Sequence, residues 1–274
     1  MLDMFVQMLS YGFMRRAIIV GVLVALCAAL LGVTLVLKRY SMIGDGLSHV
    51  GFGALCIALA TNVAPLAISV PVVVVSAFLL LRMSDNSKIQ GDAAIALISS
   101  TALAIGILVT SMTTGLNSDV NGYMFGSILA MSRTDVIISI ALSATMLILY
   151  CVFYNKIFAV TFDENFATAT GTKTGMYNTL IALLTAITVV IGMRIMGAML
   201  ISSLVIFPAL TAMRVCKTFK KVVIVSAVVS VVCFFIGLLV SFAFSMPAGA
   251  SVVAVNAIMF GIFSLVGMIK RKAA

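Results

Sequence analysis

Long apolar segments separated by short polar ones run along almost the whole chain. A segment of about 20 mostly apolar residues is long enough to cross a bilayer as a helix. The pattern predicts nine spans, although the sixth and seventh are separated only by residues 192–194, which leaves eight full spans as an alternative. The predicted spans cover roughly residues 17–37, 44–62, 64–81, 93–112, 134–154, 175–192, 195–213, 222–244 and 249–268.

Two other segments do not have the pattern of a span. Residues 1–14 are moderately apolar but too short to cross a bilayer, so we expect a helix that lies along the membrane surface. Turn-forming residues between positions 115 and 122 predict a loop, followed by a short half-buried helix over Tyr123–Met131. The predicted fold is all-α, a single polytopic membrane domain over residues 1–274.

The composition supports this prediction and narrows the function. Hydrophobic residues make up 63% of the chain and charged residues only 9%, against about 25% charged in ordinary soluble domains. The five cysteines form no CxxC pair, which argues against a disulfide framework or a thiolate metal cage. The sequence has no GxxxxGK[ST] loop, so the chain does not bind ATP in the P-loop manner. We therefore expect no catalytic domain and no enzyme activity.

The excess of basic residues predicts the orientation. There are 17 Lys and Arg against 8 Asp and Glu, a net charge of +9, and basic residues collect in short cytoplasmic loops. If the C-terminus lies in the cytoplasm, most of the Lys and Arg residues also face the cytoplasm. Arg15 and Arg16 then lie on the opposite side, which is contrary to this tendency of basic residues. Because the basic residues are spread over several loops and do not form one patch, they do not favour a nucleic-acid partner. The residues placed inside are Lys38, Arg39, Arg82, Lys88, Lys156, Lys173, Arg214, Lys217, Lys220, Lys221, Lys270, Arg271 and Lys272.

An acid and the only histidine begin the second span, in SMIGDGLSHVGFGA. Asp45 and His49 are four residues apart, which places them on one face of a helix, about one turn apart. A carboxylate oxygen and an imidazole nitrogen at this spacing can bind one divalent cation. Two ligands make a weak site, but a dimer with these helices facing each other would supply four. The structural alternative is that Asp45 caps a helix near Lys38 and Arg39, while His49 bonds a neighbouring carbonyl.

The inside loop over residues 156–174 predicts a short cytoplasmic helix of roughly residues 163–170. Thr161 and Glu164 have the spacing of a capping box, and Gly171 suits the helix end. The loop combines an Asp–Glu pair, Asp163 and Glu164, with Phe162 and Phe166, which we expect to be exposed. A connecting loop does not need this combination, so we infer a docking site for a cytosolic partner. The alternative is a loop helix packed on its own bundle.

Five segments, in order along the chain, resemble the integral membrane permeases of zinc/manganese/iron ABC importers. LGVTLVLKRYSMIGDGLSHVGFGALCIA resembles their basic pair followed by a Gly-Asp-x-x-Ser-His core, and YMFGSILAMSRTD their short-helix motif. ENFATATGTKTGMYN resembles their coupling helix, IMGAMLISSLVIFPALTA the span after it, and MPAGASVVAVNAIMFGI the last hairpin. The likeness extends over about residues 13–268.

The resemblance implies a homodimeric permease of the bacterial cytoplasmic membrane. Such a permease receives a divalent metal from an extracytoplasmic metal-binding protein, and two cytoplasmic ATPase subunits drive its release inward. Asp45 and His49 match the family's metal-contact pair. The coupling helix that sits in an ATPase groove matches Asp163 to Gly171, including Glu164, Phe166 and Ala167. The transported ion would be Zn, Mn or Fe(II), which Asp and His ligands all suit, with no permanently bound cofactor.

Other functions fit the sequence less well. A secondary proton-coupled cation transporter would use the same pair, but such transporters usually carry an inverted repeat with matching helix breaks, and the four prolines do not pair between the halves. An intramembrane hydrolase would need a nucleophile or paired acids at membrane depth. A siderophore or cobalamin permease would not require the lone Asp/His pair.

Overall fold

The regular elements of the protein are α-helices wherever the structure describes it. The structure is a computed structural model that describes residues 10–86, 91–113 and 133–272. In a bilayer, a helix satisfies all its backbone hydrogen bonds internally, which suits so apolar a chain. The described helices are α1 (Gly12–Leu37), α2 (Ile43–Ala60), α3 (Pro65–Asn86), α4 (Gly91–Met112), α5 (Arg133–Val152), α6 (Tyr154–Phe162), α7 (Glu164–Ala169), α8 (Thr174–Met196), α9 (Ala198–Val215), α10 (Phe219–Phe244) and α11 (Ala248–Lys272).

The number of membrane-spanning helices is seven or eight among the described residues. Seven helices are long and apolar enough to cross a bilayer, namely α1, α2, α4 and α8 to α11. An eighth arises if α5 and α6 are counted together, since they are bent by 69° at Phe153. The third predicted span is only a shorter apolar helix, Pro65–Leu80. The polytopic all-α fold is therefore confirmed, with a count close to the eight or nine expected, and the chain is a multi-pass membrane protein.

The boundary between the sixth and seventh predicted spans lies later than the sequence suggested. Helix α8 runs through Gly192 and Arg194 to Met196, and the chain breaks at Gly197, whose φ is 90°. Arg194 is in the last turn of α8, where a cation interacts favourably with the helix dipole. The predicted break at residues 192–194 was wrong. The predicted surface helix over 1–14 lies mostly outside the described residues, apart from the start of α1, and Tyr123–Met131 lies wholly outside them.

Helix α2 is held at the centre of the bundle. Most of α1, α2 and α8 is buried, whereas most of α4 and α11 faces outward. The close packing of α2 on α4 depends on Gly53, because a Cβ there would lie 2.5 Å from the carbonyl oxygen of Ala102. Small residues permit such close approach of helices in membranes. The helix that carries the predicted metal ligands is thus fixed by its neighbours.

Several segments predicted to be cytoplasmic meet at one end of the bundle. The turn after α1 contacts α7 through Lys38 and Glu164. The start of α10 contacts α6, where the ring of Phe219 lies 5.0 Å from that of Phe158 and 6.3 Å from that of Phe162, centroid to centroid. The predicted orientation likewise puts these segments on one side of the membrane.

Candidate metal site and docking helix

Asp45 and His49 lie side by side on the first turns of α2. Asp45 Oδ2 is 3.6 Å from His49 Nε2, and the two side chains are 43% and 31% exposed. The pair is thus brought together as the i, i+4 spacing predicts. Helix α2 begins after Met42, which makes no side-chain capping bond, and Asp45 lies inside the first turn. The alternative in which Asp45 caps this helix was therefore wrong.

The second carboxylate oxygen of Asp45 contacts a different helix. Ser202, on α9, has its Oγ 3.1 Å from Asp45 Oδ1 and also 3.1 Å from the carbonyl oxygen of Ala198, one turn earlier in its own helix. The sequence marked Ser202 only as able to bond across helices or to its own backbone. It gave no signal that the partner would be Asp45, 157 residues away.

The pair has no further acidic, histidine or cysteine ligand close by in the described part of the chain. No group of three or more such residues that could hold a metal ion occurs there. Two protein ligands in one chain leave a divalent cation incompletely coordinated, since zinc sites usually have four ligands. The partial exposure of both side chains leaves room for ligands from outside the chain.

Helix α7 is fixed at both ends by local bonds. Asp163 is its N-cap, with Oδ1 accepting a hydrogen bond of 2.9 Å from the backbone nitrogen of Phe166. At the other end, Gly171 has a φ of 81°, and the amides of Gly171 and Thr172 bond back to the last turn at 3.0 and 2.9 Å. This is the Schellman arrangement, which glycine favours. The predicted helix over 163–170 is confirmed.

The capping box predicted for Thr161 and Glu164 was wrong. Thr161 lies inside α6, where its hydroxyl donates to the carbonyl oxygen of Ile157 at 2.6 Å. Asp163, two residues later, takes the capping position instead. An aspartate is as good a cap as threonine or better, because its carboxylate accepts from the free amides of the first turn.

Glu164 is bound by its own bundle. Its Oε2 is 3.2 Å from Lys38 Nζ, at the end of α1, and its Oε1 accepts a hydrogen bond of 2.7 Å from Asn178 Nδ2, on α8. Lys38 Nζ also donates to Asn178 Oδ1, which closes a three-residue network. The Lys38 side chain is only 10% exposed and that of Glu164 47%. The network therefore ties α7 to α1 and α8.

The outward surface of this region is aromatic. Phe162 and Phe166 are 63% and 66% exposed, as the sequence predicts, whereas Ala167 is only 1% exposed. Phe162 continues into a ring cluster with Phe158 and Phe219. Large exposed aromatic side chains at one end of a bundle are typical of an interaction surface.

Comparison with known proteins places this geometry in a family context. Residues 10–267 match the ABC 3 transport family. The chain is 27% identical over 261 residues to the manganese import system permease protein ScaB of Streptococcus gordonii, covering 95% of this chain and 94% of ScaB. It is 27% identical over 247 residues to the high-affinity zinc uptake system membrane protein ZnuB of Haemophilus influenzae, covering 89% and 94%.

A solved structure has the same fold over nearly the full length. PsaBC from Streptococcus pneumoniae, determined in complex with Fab, superposes with a TM-score of 0.85 at 26% sequence identity. The match covers 96% of this chain and 94% of that one. The arrangement of helices around α2 therefore belongs to a shared architecture.

Proposed function

Because the chain belongs to the ABC 3 transport family, we propose that it is the permease subunit of an ATP-driven importer of a divalent transition metal, zinc or manganese. Its relatives include permeases named for manganese and for zinc, which supports this substrate class. The family membership also favours an ATP-driven importer over a secondary proton-coupled transporter. The ATPase is a separate subunit, since the sequence has no P-loop.

The observation that carries the proposal is the pairing of Asp45 with His49 on the central helix. In a tetrahedral site, metal–ligand bonds of about 2.0–2.2 Å place two adjacent ligand atoms roughly 3.3–3.6 Å apart. The observed Asp45 Oδ2 to His49 Nε2 distance is 3.6 Å, so a small side-chain rotation would let both atoms contact one ion. An oxygen and an imidazole nitrogen suit zinc, manganese and iron(II) alike.

A second copy of the chain completes the site in this proposal. Two facing copies of α2 supply two carboxylates and two imidazoles, as many ligands as zinc usually takes. The partial exposure of Asp45 and His49 in a single chain supports this arrangement. A transported ion must also leave, so weak coordination by each subunit serves transport better than a closed site.

Helix α7 docks with the cytoplasmic ATPase in this proposal. Phe166 and Phe162, both largely exposed, provide the apolar contact. Asp163 and Gly171 set the ends of the helix, Ala167 packs it on the bundle, and Glu164 ties it to α1 and α8. An extracytoplasmic metal-binding protein delivers the ion to the opposite end, and rocking of the two subunits exposes the pair to each side in turn.

Metal uptake into proteoliposomes tests the proposal. The full-length chain is reconstituted with its ATPase subunit and metal-binding protein, and uptake of Mn²⁺ and Zn²⁺ is measured with and without ATP. We expect ATP-dependent uptake that D45A and H49A abolish, while D92N, which alters an exposed acid at the start of α4, leaves it unchanged.

Two outcomes would contradict the proposal, each in a different part. Uptake at the wild-type rate in both D45A and H49A would show that Asp45 and His49 are not ligands of the transported metal. Uptake that proceeds without ATP and stops on addition of a protonophore would identify a secondary transporter instead.

A further inference from the structure

We propose that Ser202 is a positioning residue of the metal site, with its hydroxyl orienting the Asp45 carboxylate for the ion. The inference rests on the proposed metal site at Asp45 and His49. It adds a residue from a second helix to a site that the sequence placed on α2 alone.

The two oxygens of Asp45 are differently engaged. Oδ1 is 3.1 Å from Ser202 Oγ, while Oδ2 faces His49 Nε2 at 3.6 Å. The Ser202 hydroxyl has one proton and two acceptors at 3.1 Å, Asp45 Oδ1 and the carbonyl oxygen of Ala198. When it donates to Oδ1, the bond restricts rotation of the carboxylate and keeps Oδ2 directed at the imidazole. Carboxylates that bind metals are generally held by such bonds, and loss of the outer partner typically weakens metal binding 10–100-fold.

The bond also joins two helices that pack against each other. Ser202 lies in the second turn of α9, which begins after the break at Gly197. Asp45 lies in the first turn of α2. The geometry of the carboxylate therefore depends on the relative position of α2 and α9, and a shift of α9 would release Asp45 Oδ1.

The adjacent Ser203 provides a matched control. Its side chain is buried, and its Oγ has no hydrogen-bond partner within the described residues. Ser202→Ala and Ser203→Ala remove the same atom from neighbouring positions of one helix, but only the first removes a bond to Asp45. Ser202→Thr retains the hydroxyl.

Metal binding to the full-length purified chain tests the inference. Mn²⁺ binding is measured by electron paramagnetic resonance of the free ion. Zn²⁺ binding is measured separately by competition with a fluorescent chelator. We expect S202A to raise the dissociation constant roughly 10–100-fold. S202T and S203A should bind as the wild type does, and D45A should lose binding. In the reconstituted transporter, S202A should raise KM for the metal more than it lowers kcat.

Two results would overturn the role of Ser202. One is wild-type binding by S202A together with lost binding by D45A. The other is a loss in S202T as large as that in S202A, which would show a response to side-chain shape and not to the hydroxyl. Wild-type binding by D45A would instead contradict the proposed metal site itself, so the two failures are distinguishable.

Discussion

Lys38 Nζ lies 3.2 Å from Glu164 Oε2, joining the end of α1 to the first residue of α7 across 126 positions of the chain. Ile43, where α2 begins, is five residues after Lys38. One ion pair therefore connects the proposed ATPase-docking helix to the turn that leads into the proposed metal-binding helix.

Loss of this ion pair should loosen α7 and reduce the coupling of ATP hydrolysis to transport. Lys38→Gln leaves Glu164 with Asn178 as its remaining partner, so we expect faster hydrogen exchange over residues 164–169. We also expect fewer metal ions transported per ATP hydrolysed. Arg39→Gln is the control, because it removes the same charge from the next, exposed position.

The double variant Lys38→Glu with Glu164→Lys, which exchanges the two charges, tests whether the contact between these residues protects α7 from hydrogen exchange. If the ion pair ties α7 to α1, the double variant should recover much of the protection that K38Q loses. Equal exchange over α7 in the wild type, K38Q and R39Q would contradict the prediction.

Removal of the N-cap should destabilise α7 without affecting the rest of the bundle. Asp163→Ala deletes the acceptor for the Phe166 amide, a change that costs about 0.5–2 kcal/mol of helix stability. We expect faster hydrogen exchange over Glu164–Ala169 and weaker binding of the ATPase subunit. Asp163→Asn, which keeps a capping oxygen, should behave nearly as the wild type, and equal losses in the two variants would exclude capping as the cause.

The exposed ring of Phe166 should contribute to ATPase binding but not to folding. Phe166 is 66% exposed, so Phe166→Ala should leave the thermal unfolding temperature unchanged while lowering the affinity for the ATPase subunit at least several-fold. Phe244→Ala is the matched control, because Phe244 is 68% exposed at the opposite end of α10. Similar affinities for the ATPase in both variants would argue against docking through α7.

The contact of α2 with α4 should not tolerate a side chain at residue 53. Gly53→Ala places a Cβ 2.5 Å from the Ala102 carbonyl oxygen, and overpacking of this kind costs about 1–3 kcal/mol. We expect a lower unfolding temperature and reduced uptake, since α2 must shift. Gly261→Ala, in α11, has nothing within 4 Å of its Cβ and should be neutral or slightly stabilising. The same unfolding temperature for both variants would contradict the packing argument.

Two features of the site that follow from neighbouring residues were predicted from the sequence, whereas a third, the capping box at Thr161 and Glu164, was wrong because Asp163 takes the cap. Asp45 and His49 share a helix face at i, i+4, and Gly171 ends α7 through bonds within a few residues. The family resemblance, which rests on ordered motifs, is confirmed by the match over residues 10–267. In each case the prediction depends only on residues that are close in sequence or on the order of motifs along the chain.

The features that depend on packing between distant helices were not predictable. Nothing near Ser202 indicates that its hydroxyl reaches Asp45, and nothing near Asn178 indicates its bonds to Lys38 and Glu164. These partners are selected by the way helices cross, which a single sequence does not specify.

The bend between α5 and α6 determines how a force applied at α7 reaches the membrane helices. At 1.5 Å per residue, the nine residues of α6 form an arm of about 14 Å, set at 69° to α5. Displacement of α7 therefore acts on α5 as a torque about Phe153 more than as a push along its axis. The ring contacts of Phe158 and Phe162 with Phe219 place the start of α10 against the same arm. A rotation of α6 would therefore act on α10 as well as on α5.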